Sequence, residues 1–104
     1  MKGYQIEFFT MQDSYHNGKK ISDWLLDEAR SHHIRGATIF KGTCGFSHDH
    51  HNYSSIPVYG NVDHPEQVVL IVTDEESERV FNLLRAEKLH LFYVKIPVEF
   101  GQAN

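Results

Sequence analysis

Five consecutive residues, Val68-Val69-Leu70-Ile71-Val72, constrain the fold of this chain more than any other feature. A strand with one wet face alternates apolar and polar side chains, but here both parities are apolar, so a strand from Gln67 to Thr73 has to be covered on both sides. The next residues, Thr73-Asp74-Glu75-Glu76, form a capping-box pattern, with a threonine cap and a glutamate three positions on. A helix therefore opens directly off the strand. It carries Val80, Leu83 and Leu84 inward, acids in its first turn, and Arg85 and Lys88 in its last, as the helix dipole favours.

The remaining elements follow from periodicity. Tyr4 to Thr10 alternates as a strand with Tyr4, Ile6 and Phe8 on its core face. Asp13 to Gly18 is polar and turn-like. Lys19 to His33 is predicted to be a helix, with Ile21, Trp24, Leu25 and Ala29 inward and Lys20, Asp23, Asp27 and Arg30 on the wet side. Gly36 lies just past its end, and Ala37 to Thr43 reads as the second strand. A connection from Ser47 to Pro65, 19 residues long, exceeds the usual length for a compact domain, so it is either functional or partly structured. Ile56-Pro57-Val58-Tyr59 suits a short edge strand within it. His90 to Phe100 closes the chain as a strand with Phe92, Val94, Ile96, Val98 and Phe100 on one face.

The order β-α-β-β-α-β predicts an α+β, ferredoxin-like domain spanning 1–104, with a four-stranded antiparallel sheet and two helices on one face. Two helices cover only one side of such a sheet. The other side, where Phe9, Phe40, Leu91 and Tyr93 add bulk, needs a partner, most economically other copies of the chain.

Composition narrows the partners. A formal net charge of −4 without any Lys/Arg block argues against nucleic acid. No apolar run reaches membrane-spanning length, and the first residues lack the apolar core of a secretion signal, so a cytoplasmic protein without membrane insertion is expected. Cys44 is the single cysteine, which excludes an internal disulfide; a lone cysteine of this kind is most often a small buried hydrophobe.

Two groups of residues are candidate sites. Glycines at 36, 42 and 45 interrupt the second strand and mark bulges or close approaches; Lys41, Gly42 and Gly45 are candidates for contact with a small ligand, either as backbone donors to an anion or simply as close-packing positions. Lys88 and Lys95 are the next cationic candidates. The second group is the histidine-rich segment: His48, His50 and His51, with Asp49 between, have ligand chemistry suited to zinc, copper or nickel, and His64 or His16 are the further ligands an oligomer could bring in. The competing reading is a solvated loop, because no two-part ligand spacing is present. Ser47 to Ser55 has no aliphatic anchor and is expected to order only on a ligand, a metal or a neighbour. No nucleophile–base pairing is legible, so no catalytic residues are assigned and the chain is expected not to be an enzyme.

Several stretches together carry a family resemblance. Gly3-Tyr4-Gln5, Phe8-Phe9-Thr10, Gln12-Asp13, Trp24-Leu25-Leu26, Gly36-Ala37-Thr38 with Gly42 and Gly45-Phe46, and Phe92 through Gly101 resemble bacterial PII-like proteins of domain-of-unknown-function family 190. The resemblance implies a ferredoxin-like subunit in a homotrimer whose sheets line the centre. PII proteins bind adenine nucleotides between subunits and use the long loop to grip transporters or enzymes. A PII-like signalling module is thus expected, with an adenine nucleotide or a transition metal as its ligand and a membrane transporter or enzyme as its partner. A metal-binding protein and a ligand-free interaction protein are the alternatives. The chain departs from the family at four places. His33 stands where a glycine commonly ends the first helix, Ser47 follows Gly45-Phe46 in place of glycine, Ala86 to His90 holds no glycine, and the tail Gly101 to Asn104 holds no base.

Overall fold

The computed structural model describes residues 1–46, 52–54 and 64–104. Strand β1 (Lys2–Met11) is followed by a two-stranded ribbon of β2 (Tyr15–His16) and β3 (Lys19–Lys20), then helix α1 (Ile21–Ser31). Strand β4 (Ala37–Lys41) precedes a second ribbon, β5 (Cys44–Phe46) with β6 (Asn52–Ser54). Strand β7 (Pro65–Val72), helix α2 (Asp74–Ala86) and strand β8 (Phe92–Glu99) complete the chain. The four long strands form one antiparallel sheet in the order β4-β7-β1-β8, the ferredoxin-like arrangement.

The alternation in β1 and β7 decides which side the helices take. Ile6 and Phe8 lie opposite Leu70 and Val68, and all four are fully or almost fully buried. They meet Trp24, Leu25 and Ala29 of α1 and Val80 and Leu84 of α2 in one core cluster, so both helices cover the same face. Each such side chain contributes about 1.5–3 kcal/mol by leaving water. Val69 and Ile71, at the other parity of β7, are half-buried on the helix-free face.

Three differences from the sequence expectation bear on how the elements pack. The first helix starts at Ile21, because Asn17 (φ 52°) and Gly18 (φ 79°) both adopt left-handed geometry and make a two-residue hairpin turn that draws Lys19 and Lys20 into a ribbon. The second strand ends at Lys41, and Cys44 pairs with Ser54 rather than extending the main sheet. Tyr93 is not on the helix-free face. It is opposite Phe8, and its ring centroid lies 4.9 Å from that of Phe81 on α2; the free face of β8 is the Phe92, Val94, Ile96, Val98 set instead. The expected edge strand at Ile56–Tyr59 lies outside the described residues, as does most of the Ser47–Ser55 segment.

Both helices end in the same way. The N–H of His33 (φ 58°) donates to Arg30 O and that of Ile34 to Ala29 O; the N–H of Lys88 (φ 54°) donates to Arg85 O and that of Leu89 to Leu84 O. These are two Schellman motifs, each sealed by an apolar pair, Ile34 with Ala29 and Leu89 with Leu84. Non-glycine residues hold both left-handed positions. His33, standing where the family commonly has glycine, thus takes the left-handed conformation, and Lys88 does the same.

Candidate functional site

The ends of β1 and β4 and the starts of β7 and β8 converge at one edge of the sheet around a cleft of about 740 Å³. Its walls are mainly apolar, with Phe9, Phe40, Phe92 and Leu91 prominent, and α1 reaches it through Ile21. The α1 end of the cleft is locked by backbone pairing, the Ile21 N–H donating to Ser14 O at 2.9 Å.

The chemically distinctive residue in this lining is Glu66. It shares the parity of Val68, Leu70 and Val72, so the strand that builds the core also turns a carboxyl inward, only 4% exposed. Ser22, buried in the first turn of α1, donates its hydroxyl to Glu66 Oε1 at 2.8 Å. Thr10 and Lys41 are its neighbours across the two adjoining strands. The sequence reading began this strand at Gln67 and so missed Glu66. The signal was nonetheless there, as an acidic residue in phase with three buried aliphatic ones.

Lys41, Gly42 and Gly45 all line the cleft, together with exposed Cys44 and His90. Gly42 does not present a free donor. Its N–H donates to Pro65 O at 2.8 Å, and a Cβ there would stand 2.7 Å from Pro65 Cγ, so this glycine serves close packing of β4 on β7. Gly45 pairs with Tyr53 in the second ribbon. Lys88 is not in the lining; it occupies the left-handed cap of α2. Lys95 points to the helix side, its ammonium 4.1 Å from the Tyr4 ring centroid and 5.5 Å from that of Phe81, a cation–π contact rather than a free charge. Cys44 is exposed, contrary to the expectation of a buried thiol.

His48, His50 and His51 lie outside the described residues. Among the described residues no group of three or more histidine, cysteine or acidic side chains converges on a metal position. His16 is engaged elsewhere, with Nε2 3.2 Å from Glu87 Oε1 and its ring edge-on to Trp24.

The opposite edge of the sheet is chemically closed. Glu76 Oε1 accepts from the Thr73 N–H at 2.8 Å and from Arg35 Nε at 3.1 Å, and the Thr73 hydroxyl accepts from the Glu76 N–H, completing the capping box. Burial alone would push the Glu76 carboxyl up. The Thr73 N–H, the Arg35 guanidinium and the Thr73 hydroxyl outweigh it and hold the group below the usual carboxylate range. A hydrogen bond to Asp74, and that carboxylate's charge, raise Tyr4 above an ordinary phenol.

Compared with known families, the chain matches the model of DUF190, described as Uncharacterized ACR, over residues 3–94. The chain belongs to this family. DUF190 proteins are PII-like, and the matched span takes in the whole cleft, Glu66 included. No curated protein matches the chain. Among the described residues, no helix of this DUF190 protein is long and apolar enough to cross a membrane.

Proposed function

We propose that this DUF190 protein is a PII-like regulatory module: a homotrimer that binds a small ligand in the cleft between subunits and presents its long loop to a partner protein, without catalysing a reaction. One observation carries the reading. Phe9, Phe40 and Phe92 belong both to the helix-free face of the sheet and to the cleft lining. Phe40 and Phe92 are 53% and 66% exposed, large values for aromatic side chains on a sheet. A second copy seated on that face covers these rings and closes the cleft in the same step, which makes ligand occupancy and assembly mutually dependent. The family's PII-like character supports a sensing role.

Light scattering coupled to size-exclusion chromatography tests the assembly; a mass of three chains is expected, and a monomer at micromolar concentration overturns it. Calorimetric titration with ATP, ADP, AMP, cyclic nucleotides and bicarbonate tests the ligand. Binding that is lost together with the trimer in Phe92→Asp supports a site between subunits, whereas binding that survives in a monomeric variant places the site within one chain.

A further inference from the structure

Glu66 gives the cleft a polarity that the glycine-and-lysine segment did not suggest. A carboxylate has room for about four hydrogen bonds, and Ser22 supplies one of them from a neutral hydroxyl. Among the described residues Glu66 belongs to no ion pair. Lys41, its cross-strand neighbour, is exposed, so the lysine of the lining is bathed in water while the acid is not. Gly42, the position best suited to offer a backbone donor to an anion, has already given its N–H to Pro65.

Burial of a charge is costly unless it is paired, and a pair formed between apolar walls is stronger than one in water. A cationic ligand nitrogen satisfies both conditions, whereas an anionic group placed beside Glu66 meets like charge in a poorly screened setting. Ile21 and Leu91, which line the cleft on Glu66's side of the sheet, supply apolar surface for the body of such a ligand. We infer that Glu66, held by Ser22, makes the cleft selective for a small organic ligand bearing a cationic nitrogen head, an ammonium, amidine or guanidinium, on an apolar or aromatic body. This rests on the reading of the cleft as the ligand site and specifies what enters it.

The test uses three probes of one shape on the isotope-labelled full chain: benzamidine (cationic), benzamide (neutral) and benzoate (anionic), followed through the amide signals of Gly42, Gly45 and His90. Benzamidine is expected to shift these signals saturably, with benzamide and benzoate weaker. Glu66→Gln, which retains an acceptor for Ser22, is expected to reduce benzamidine affinity about tenfold or more. Equal binding of all three probes in the cleft, or benzamidine binding unchanged in Glu66→Gln, overturns the inference and leaves the cleft as a ligand site. If none of the three perturbs those signals, both fail. The comparison of probes on the native chain stands even if the variant does not fold.

Discussion

The two edges of the sheet use similar residues to opposite ends. At one edge Glu76 is buried, and each of its neighbours points at it: the Thr73 N–H, the Thr73 hydroxyl through the reciprocal cap, and the Arg35 guanidinium. At the other edge Glu66 is buried as deeply but has a serine hydroxyl for company and a cleft beside it. The first carboxylate is a structural tie whose partners all come from the chain. Among the described residues, the second is answered by one neutral hydroxyl. Equal burial therefore does not mean equal purpose, and the partner set tells the two apart.

The widest separation between the edges should be in stability. Glu76→Ala orphans the Thr73 N–H and removes the Arg35 contact, and is expected to cost about 2–3 kcal/mol in urea unfolding. Glu66→Gln, which keeps the Ser22 bond and removes a buried charge, is expected to stay within about 1 kcal/mol of the native chain. A large loss in Glu66→Gln would mean that both carboxylates are structural.

Glycine substitutions probe the same contrast. A Cβ on Gly3, at the closed edge, would overlap the Val72 carbonyl oxygen, whereas one on Gly45, beside the cleft, meets nothing within 4 Å. Gly3→Ala should therefore destabilise by about 1–3 kcal/mol through backbone displacement, and Gly45→Ala far less. Matching melting temperatures for the two variants would contradict this.

Acid titration sharpens the role of Glu76. Its folded pKa lies below its unfolded one, so its contribution is fully present above the ordinary glutamate value of 4.5 and is lost as pH falls through the lower folded value. Arg35→Ala removes one of the groups that depress it. The acid limb of the stability curve should then be shallower in that variant, with the difference confined to pH above the folded value. An identical acid limb would show that the guanidinium contributes no charge stabilisation.

Smaller gains are expected at the two left-handed caps. His33→Gly and Lys88→Gly relieve positive φ, each offset by the greater freedom of glycine in the unfolded chain, and should stabilise by about 0.5–1 kcal/mol. Because Lys88 stands outside the cleft lining, Lys88→Gly should leave benzamidine binding unchanged; reduced binding would bring that side chain into the site. At the bottom of the scale, the exposed Lys19–Asp27 pair at 2.9 Å should be silent, with no resolvable change in unfolding for Lys19→Ala.

Much of this molecule was legible in its periodicities. The two-parity run at Val68 to Val72, the capping box at Thr73 to Glu76 and the inward stripes of both helices determined the order of elements, and with it the ferredoxin-like sheet. These are local signals, because one hydrogen-bonding pattern and one face of an element are specified within a few residues. Even the Asn17-Gly18 hairpin was written locally, in a dipeptide suited to two left-handed residues, although the helical stripe beyond it obscured the signal.

The tertiary structure decided what no local pattern specifies, namely which groups meet. Cross-strand register set Glu66 between Thr10 and Lys41, and helix docking brought Ser22 to it from 44 positions away. The same packing committed the Gly42 N–H to Pro65 and the Lys95 ammonium to aromatic rings, removing two charge or donor candidates that composition alone left open. It also turned Tyr93 inward and Phe92 outward. That choice depends on the pairing partner of β8, not on alternation, which fixes only that the two point apart. Alternation assigns residues to opposite faces; only the neighbours across the sheet determine which face is buried.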